Sequence, residues 1–437
     1  MAEVAQKVHV TQEAVAPMRV RAIVACSLGH FFELFDFVMY GFFAVIIGKL
    51  FFPASDPMTS LLSSFATYGV GFLMRPVGAI VIGAYGDRNG RKSALVLTIC
   101  VMALSTLGIA FLPTYAQIGI LAPLLLVACR LIQGFSTGGE WGGAAAFMVE
   151  YAPKGTRGWV GSWQNFSGTL GVVAGSVTAA ILSSLMDTSS LESWGWRIPF
   201  IIGAIAGPVG YYLRRNIDET PAFDRTVANK TVEKNPLSAV LTGYPYNLLV
   251  GLGISVFGTA GFYIPFVFLP AFARQTLKIG FSEALYATTI ASLVGAILMP
   301  IFAGISDRVG RKPMMVVACG TTLLASYPLF AYLSHSPSLM TLIVSQTALV
   351  VLAVIFLGPL PAILCELFPT AVRYTALSMS YGLGVMIFGG FAPFIGTYLV
   401  NVTGDPISPT YYVMFAAIVS GLVALLFYKE TAFKDIQ

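Results

Sequence analysis

Glu33 and Asp36 stand three residues apart inside an otherwise apolar stretch that begins after Arg21, and His30 stands three residues before Glu33. On a helix this spacing puts all three side chains on one side. An ionised carboxylate at the centre of a bilayer costs at least about 2.5–3.5 kcal/mol, so such a group faces a cavity, finds a partner or takes up a proton. Two acids on one face resist double ionisation, which poises one of them to bind and release a proton. The chemistry that fits is proton transfer coupled to a conformational cycle. A static pair with a buried arginine is the alternative, and an acid can be paired in one state and protonated in another.

Two arginines lie in apolar stretches of their own. Arg130 is followed ten residues later by Glu140. That is roughly 15 Å along a helix, too far for a direct pair. Each needs a partner from another element, and Glu33 or Asp36 is the economical one for Arg130. Arg75 precedes Pro76. The planar guanidinium fork matches a carboxylate, so an intramembrane arginine suits either a carboxylate substrate or a tie between helices. Gln164 and Asn165 are adjacent amides, Tyr263 and Tyr381 are hydroxyl donors, and Thr259, Thr288, Thr289, Ser378 and Ser380 add further hydroxyls. Such groups bind carboxylate oxygens or let helices pack closely.

No enzymatic set accompanies them. The three histidines, His9, His30 and His335, are scattered, and the five cysteines form no C-x-x-C pair, so neither a metal centre nor a disulfide framework is expected. The glycine-rich run from Gly134 to Gly143 lacks the Lys-Ser/Thr ending of a phosphate loop. The chain is read as no enzyme, with no cofactor and no nucleotide or nucleic-acid partner.

The elements that must position these residues are membrane helices. Of the 437 residues, 57% are hydrophobic and 10% are charged, whereas a soluble domain carries about 25% charged residues. That excludes an ordinary soluble enzyme, a nucleic-acid-binding protein and a disordered chain. Segments long enough to cross a bilayer fall at 20–48, 60–86, 93–113, 118–150, 157–185, 196–215, 243–273, 282–306, 312–333, 338–368, 373–402 and 410–428. The organisation expected is a tail 1–19, a six-helix half 20–215, a polar central loop 216–242, a second half 243–428 and a tail 429–437. No cleavable signal is read at the start, and the first apolar run is taken as a span. With both termini in the cytoplasm, nineteen of the 25 basic residues lie on the inner side. The positive-inside rule therefore sets that orientation, in a cytoplasmic (cell inner) membrane.

The halves repeat each other. GAYGDRNGRK at 83–92 returns as AGISDRVGRK at 303–312; Glu150 and Arg157 return as Glu366 and Arg373 about a similar Pro; Glu219-Thr220 returns as Glu430-Thr431. The offsets are 220, 216 and 211 residues, which makes a six-helix unit duplicated in parallel. In Asp87-Arg88-x-Gly90-Arg91 and Asp307-Arg308-x-Gly310-Arg311 the glycine allows a tight turn, and the carboxylate can cap a helix or hold an arginine. These clusters, with Glu150, Arg157, Glu366 and Arg373, are the expected gate between the halves.

The repeated D-R-x-G-R-K element and Arg130-Leu-Ile-Gln133-Gly134 resemble signatures of the major facilitator superfamily. Within it, Gly29-His30-Phe-Phe-Glu33-Leu-Phe-Asp36, Phe72-Leu-Met-Arg75-Pro76, Gly138-Gly-Glu140-x-Gly142-Gly143 and Trp194-Gly-Trp-Arg197 are similar to the metabolite:proton symporter family, and Ser162-Trp163-Gln164 and Phe388-Gly-Gly-Phe-x-Pro393 to its citrate and tricarballylate members. The family pattern has asparagine where this chain has His30. The resemblance implies an all-α membrane protein of twelve helices in two six-helix halves, with the substrate site near the midplane. It also implies proton-coupled import of a small carboxylate, citrate or a related tricarboxylate first, by a chain that works as a monomer. Osmolytes such as betaine or proline, dicarboxylates or shikimate, and an uncoupled facilitator, are the alternatives. The expected substrate contacts are Arg130, Arg75, His30, Gln164, Asn165, Tyr263 and Tyr381; the expected proton-coupling acids are Glu33, Asp36 and Glu140.

Overall fold

The computed structural model describes residues 24, 27–89, 91–150, 152–153, 155–215, 236–369 and 372–434, apart from the side chains of 83, 84, 86–89, 91, 92, 95, 206, 213–215 and 236. Twelve helical spans follow one another: α1 (Ser27–Phe42 and Ala44–Phe51), α2 (Pro57–Leu73 and Arg75–Asn89), α3 (Arg91–Phe111), α4 (Leu121–Glu150), α5 (Arg157–Leu185), α6 (Ile198–Arg215), α7 (Pro245–Gln275), α8 (Phe281–Val309), α9 (Arg311–His335), α10 (Leu339–Glu366), α11 (Arg373–Thr403) and α12 (Pro409–Leu426). Among the described residues nine of these are continuous, long and apolar enough to cross a bilayer, and α1, bent by 62°, is a tenth. The remaining two, α3 and α6, are 21 and 18 residues long.

Large apolar side chains such as Leu104, Phe111, Leu185 and Leu324 are 70–80% exposed. In water that would be a liability; against lipid it is the outer wall of a multi-pass membrane protein. Polar side chains turn inward instead, and Arg130, Glu33, Asp36 and Gln133 are all at most 1% exposed.

The breaks in the helices are where the chemistry sits. Pro76 has no backbone N–H to donate, and α2 breaks just before it, at Met74, with Arg75 opening the second piece. The break in α4 at Gly138 and Gly139 separates Arg130 from Glu140, the first residue of the second piece. In α7 a π turn at Ile264–Phe268 follows Tyr263 directly, and in α11 another at Val385–Gly389 follows Tyr381 by four residues. Such turns widen a helix locally and re-aim the adjoining side chains.

One helix of each half forms the long seam between them. At one end of the α5–α8 seam Ser183 and Ser282 share a hydrogen bond of 2.9 Å; further in, Ser176 and Thr289 share one of 2.8 Å. At the other end, which carries the basic loops, Asp307 of α8 accepts from the backbone N–H groups of Gly158 and Trp159 in the first turn of α5, at 2.8 and 2.9 Å. The halves therefore touch at both ends of the seam.

Candidate substrate and proton site

Glu33 is fully buried on α1 and is held from two sides. Arg75 Nη2 donates to its Oε1 at 2.7 Å, and His30 Nδ1, one turn back on the same helix, lies 3.1 Å from its Oε2. The i,i+3 spacing thus brings His30 and Glu33 together, and the break in α2 delivers the cation. Arg75 Nε has no hydrogen-bond partner among the described residues.

Asp36 belongs to a second network. Arg130 Nη1 donates to Gln133 Oε1 at 2.7 Å, and Gln133 Nε2 donates in turn to Asp36 Oδ2 at 2.5 Å and to Thr106 Oγ1 at 2.9 Å. The sequence suggested Arg130 beside Glu33 or Asp36; Gln133 stands between Arg130 and Asp36, and Arg75 holds Glu33. Gln133 carries a sequence signal, its i,i+3 spacing from Arg130, whereas Thr106, on another helix, carries none.

Phe37 lies between the two networks. The Arg75 and Arg130 guanidinium carbons are 5.2 and 4.6 Å from its ring centre, and Arg130 also lies 4.5 Å from the Tyr40 ring and 5.2 Å from that of Tyr68. Aromatic faces stabilise a desolvated guanidinium without neutralising it. Arg130 Nε and Nη2 have no hydrogen-bond partner among the described residues, which leaves Arg130 only partly satisfied.

Between the halves lies a cavity of about 20 Å³, room for roughly one water. His30, Arg75, Asn165 and Thr169 line it from the first half, and Phe262, Tyr263 and Tyr381 from the second. Five of the seven expected substrate contacts meet here. Asn165 also bridges the halves, donating to the Leu357 carbonyl at 2.8 Å. Gln164 lies off the cavity and donates to the Trp141 carbonyl at 2.9 Å; Arg130 is off it as well, in the Asp36 network. Glu140 is buried where α4 resumes. Phe262 on the cavity wall was not expected from the sequence, where one phenylalanine in an apolar span looks like any other.

At the basic end the repeated motifs exchange partners across the halves. Arg373 Nη1 donates to Glu150 at 2.7 Å, and Arg157 lies 3.8 Å from Glu366. Arg311 reaches Asp307 at 2.8 Å and Glu366 at 3.1 Å. Gly310, at φ +104°, makes the tight turn between α8 and α9, a conformation glycine adopts without strain. Arg308 is exposed and makes no hydrogen bond or ion pair among the described residues. The side chains of Asp87, Arg88 and Arg91 lie outside those described.

Twelve helices in two halves, with large apolar side chains on the outside and a cavity lined by His30, Arg75, Asn165 and tyrosines between the halves, are the architecture of a multi-pass membrane protein. The Major Facilitator Superfamily model matches residues 26–327 and 251–435. A citrate-proton symporter of Klebsiella pneumoniae is 35% identical over 414 residues, covering 95% of this chain and 93% of that one. A proline/betaine transporter of Escherichia coli K12 is 34% identical over 427 residues, covering 95% and 85%. Among solved structures, the xylose transporter of E. coli in a partially occluded inward-open conformation superposes with a TM-score of 0.76 at 17% identity, over 96% of this chain and all of that one. The chain belongs to the Major Facilitator Superfamily, and it is a transporter rather than an enzyme.

Proposed function

We propose that this chain is a proton-coupled symporter that imports a small carboxylate by alternating access, with citrate or a related tricarboxylate as the first candidate. The observation that carries the reading is that Arg75, which donates to Glu33 at 2.7 Å, lines a cavity between the halves. When Glu33 takes up a proton, Arg75 loses its partner and offers its guanidinium to a substrate carboxylate; when the substrate leaves, Glu33 gives its proton up to water and pairs with Arg75 again. Proton and carboxylate thus load and unload together. His30 relays the proton or adds a donor. Asp36, tied to Arg130 through Gln133, and the buried Glu140 are the further acids assigned to proton coupling.

Coupling has an energetic reason. An anion entering against an inside-negative potential is opposed by about 2.3 kcal/mol per charge per 100 mV. Protons carried with it offset that charge, which an uncoupled facilitator could not do. The substrate reading is supported by the citrate-proton symporter among the relatives, at 35% identity.

A second reading, import of an osmolyte such as betaine or proline, is favoured by one feature of the cavity. Phe262, Tyr263 and Tyr381 line it, and aromatic rings attract a cationic head while Arg75 takes the carboxylate. Proline/betaine transporters are about as similar in sequence.

In this account the halves 20–215 and 243–428 rock as bodies about the midplane. The latch at the basic end is formed by Asp307, Arg311, Glu150, Arg157, Glu366 and Arg373, with Asp87, Arg88, Arg91 and Arg308 on the same face. That end faces the cytoplasm, as do both termini, in the cell inner membrane; nineteen of 25 basic residues support the orientation. A single chain suffices, and the proton is the only co-factor of transport. Thermal stabilisation of the purified protein by tricarboxylates, dicarboxylates, shikimate, betaine and proline, at two pH values, tests the substrate. Stabilisation by citrate or tricarballylate is expected; stabilisation by betaine or proline alone transfers the assignment to the osmolyte reading.

A further inference from the structure

One residue of the cavity wall, Tyr381, belongs to an aromatic stack that joins the two halves. Tyr381 of α11 lines the cavity and lies flat on Trp141 of α4, with ring centres 3.6 Å apart and planes 15° from parallel. The two rings come from opposite halves, so the halves cannot separate here without breaking the stack. Trp141 is 2% exposed, and its backbone is tied to α5 by Gln164. Its indole N–H has no hydrogen-bond partner among the described residues, so the ring is placed by stacking and not by a polar tie.

From this stack to the basic end, α11 lies in a track on α4. The Ser378 side chain packs on Gly142, where a Cβ would overlap its hydroxyl. The Tyr374 ring packs on Gly143, and its hydroxyl donates to the Gly139 carbonyl at 2.5 Å. The track ends at Arg373 and Glu150, 2.7 Å apart. The glycine run that resembles no phosphate loop is the surface on which the other half closes.

The closed joint also holds polar atoms that opening would satisfy. Trp141 Nε1, Gln164 Oε1 and Ser378 Oγ are buried and lack hydrogen-bond partners among the described residues. Buried groups of this kind are costly in the closed state, and their hydration offsets part of the packing lost on opening. A joint built only of apolar groups would have no such compensation.

We infer that Trp141 and Tyr381 form the inner gate of the cavity, with Trp141 the positioning residue that holds the Tyr381 ring across the exit while Gly139, Gly142 and Gly143 seat the rest of α11. The role rests on the transporter reading for its direction of traffic. Its geometry is independent of the substrate.

The test is side-specific labelling. In a background with Cys26, Cys100, Cys129, Cys319 and Cys365 replaced, Ser378→Cys is placed in the joint and exposed to an impermeant maleimide in inverted and right-side-out vesicles. Trp141→Ala is expected to speed labelling about tenfold in inverted vesicles alone, the scale of a lost aromatic pair, while Trp141→Phe retains slow labelling. Tyr381→Ala should match Trp141→Ala, and the double variant should add nothing, because both remove one stack. Citrate is then added to each variant. A citrate-dependent change in wild type that is lost in Trp141→Ala ties the gate to the substrate. An effect of the alanine variants without any response to citrate leaves the gate standing and removes citrate as substrate. Labelling unchanged by both alanine variants, additive in the double variant, or accelerated only in right-side-out vesicles overturns the inference.

Discussion

Arg373 of the second half holds Glu150 of the first, Nη1 to Oε1 at 2.7 Å, with the arginine side chain 1% exposed. Their counterparts in the repeat, Arg157 and Glu366, face each other at 3.8 Å in the reverse sense, arginine from the first half and glutamate from the second. A motif duplicated within the chain has become a reciprocal clasp, in which each copy supplies the partner for the other. Asp307 extends the clasp by capping the start of α5 across the same boundary.

If the clasp holds the basic end closed, breaking one arm favours opening toward that side. Arg373→Ala or Glu150→Gln should shift the protein toward an inward-open state and reduce accumulation. The charge exchange Glu150→Arg with Arg373→Glu should recover part of the loss. A double-mutant cycle on thermal stability should give a coupling of about 0.5–3 kcal/mol, the range for residues in direct contact. A coupling near zero would mean that the pair contributes nothing to closure.

The competition of Glu33 and substrate for Arg75 makes a second prediction. Glu33→Gln removes the titrating partner while keeping its shape, so binding should lose its pH dependence and exchange should survive without accumulation. Arg75→Lys should weaken binding strongly, since an ammonium cannot present the same fork. Calorimetric titration at several pH values checks both, and a Glu33→Gln variant whose affinity still follows pH would place the coupling proton elsewhere.

Asp36→Asn should likewise preserve exchange and abolish uphill uptake, while Arg130→Ala should abolish transport altogether. Arg130 is fully buried and reaches Asp36 through Gln133, so its loss strands a buried acid, at a cost of about 3–5 kcal/mol in comparable cases. Counterflow and accumulation assays in proteoliposomes separate the two variants. Normal proton-driven accumulation by Asp36→Asn would end the role assigned to Asp36.

Outside the membrane, Glu430 predicts a pH effect on stability. Partial burial works to raise its pKa, but backbone N–H groups of Ala432, Arg311, Lys312 and Thr431 win and hold it below the usual carboxylate value. A carboxyl with a depressed folded pKa contributes stability above its unfolded pKa and loses it as pH falls through the folded one. Glu430→Ala should therefore lower thermal stability at neutral pH by about 1 kcal/mol, the usual size of a lost helix cap. The gap to wild type should close below the carboxylate range. A gap that stays constant down to acid pH would show that the carboxylate charge is not what holds the start of α9.

Much of this architecture was legible beforehand because membrane burial is severe. Apolar runs of bilayer length, a basic bias among the loops and a duplicated charged motif leave few alternatives to twelve spans in two halves. His30 and Glu33 were readable as neighbours because helix spacing is local. What stayed hidden depends on contacts between helices. Nothing along the chain marks which arginine Glu33 takes, that Gln133, a helical neighbour of Arg130, also reaches Asp36, or that Gln164 turns to the Trp141 carbonyl while Asn165 reaches the cavity. Trp141 carries no signal along the chain for its partner; its stack on Tyr381 follows from how α4 meets α11.

The most direct test of coupled carboxylate import is uptake of labelled citrate into proteoliposomes with and without an imposed inward proton gradient. The account predicts accumulation above the external concentration only with the gradient, collapse on adding a protonophore, and loss of accumulation in Glu33→Gln. Equal equilibration with and without the gradient, or gradient-driven uptake of betaine or proline with no uptake of citrate, would contradict it.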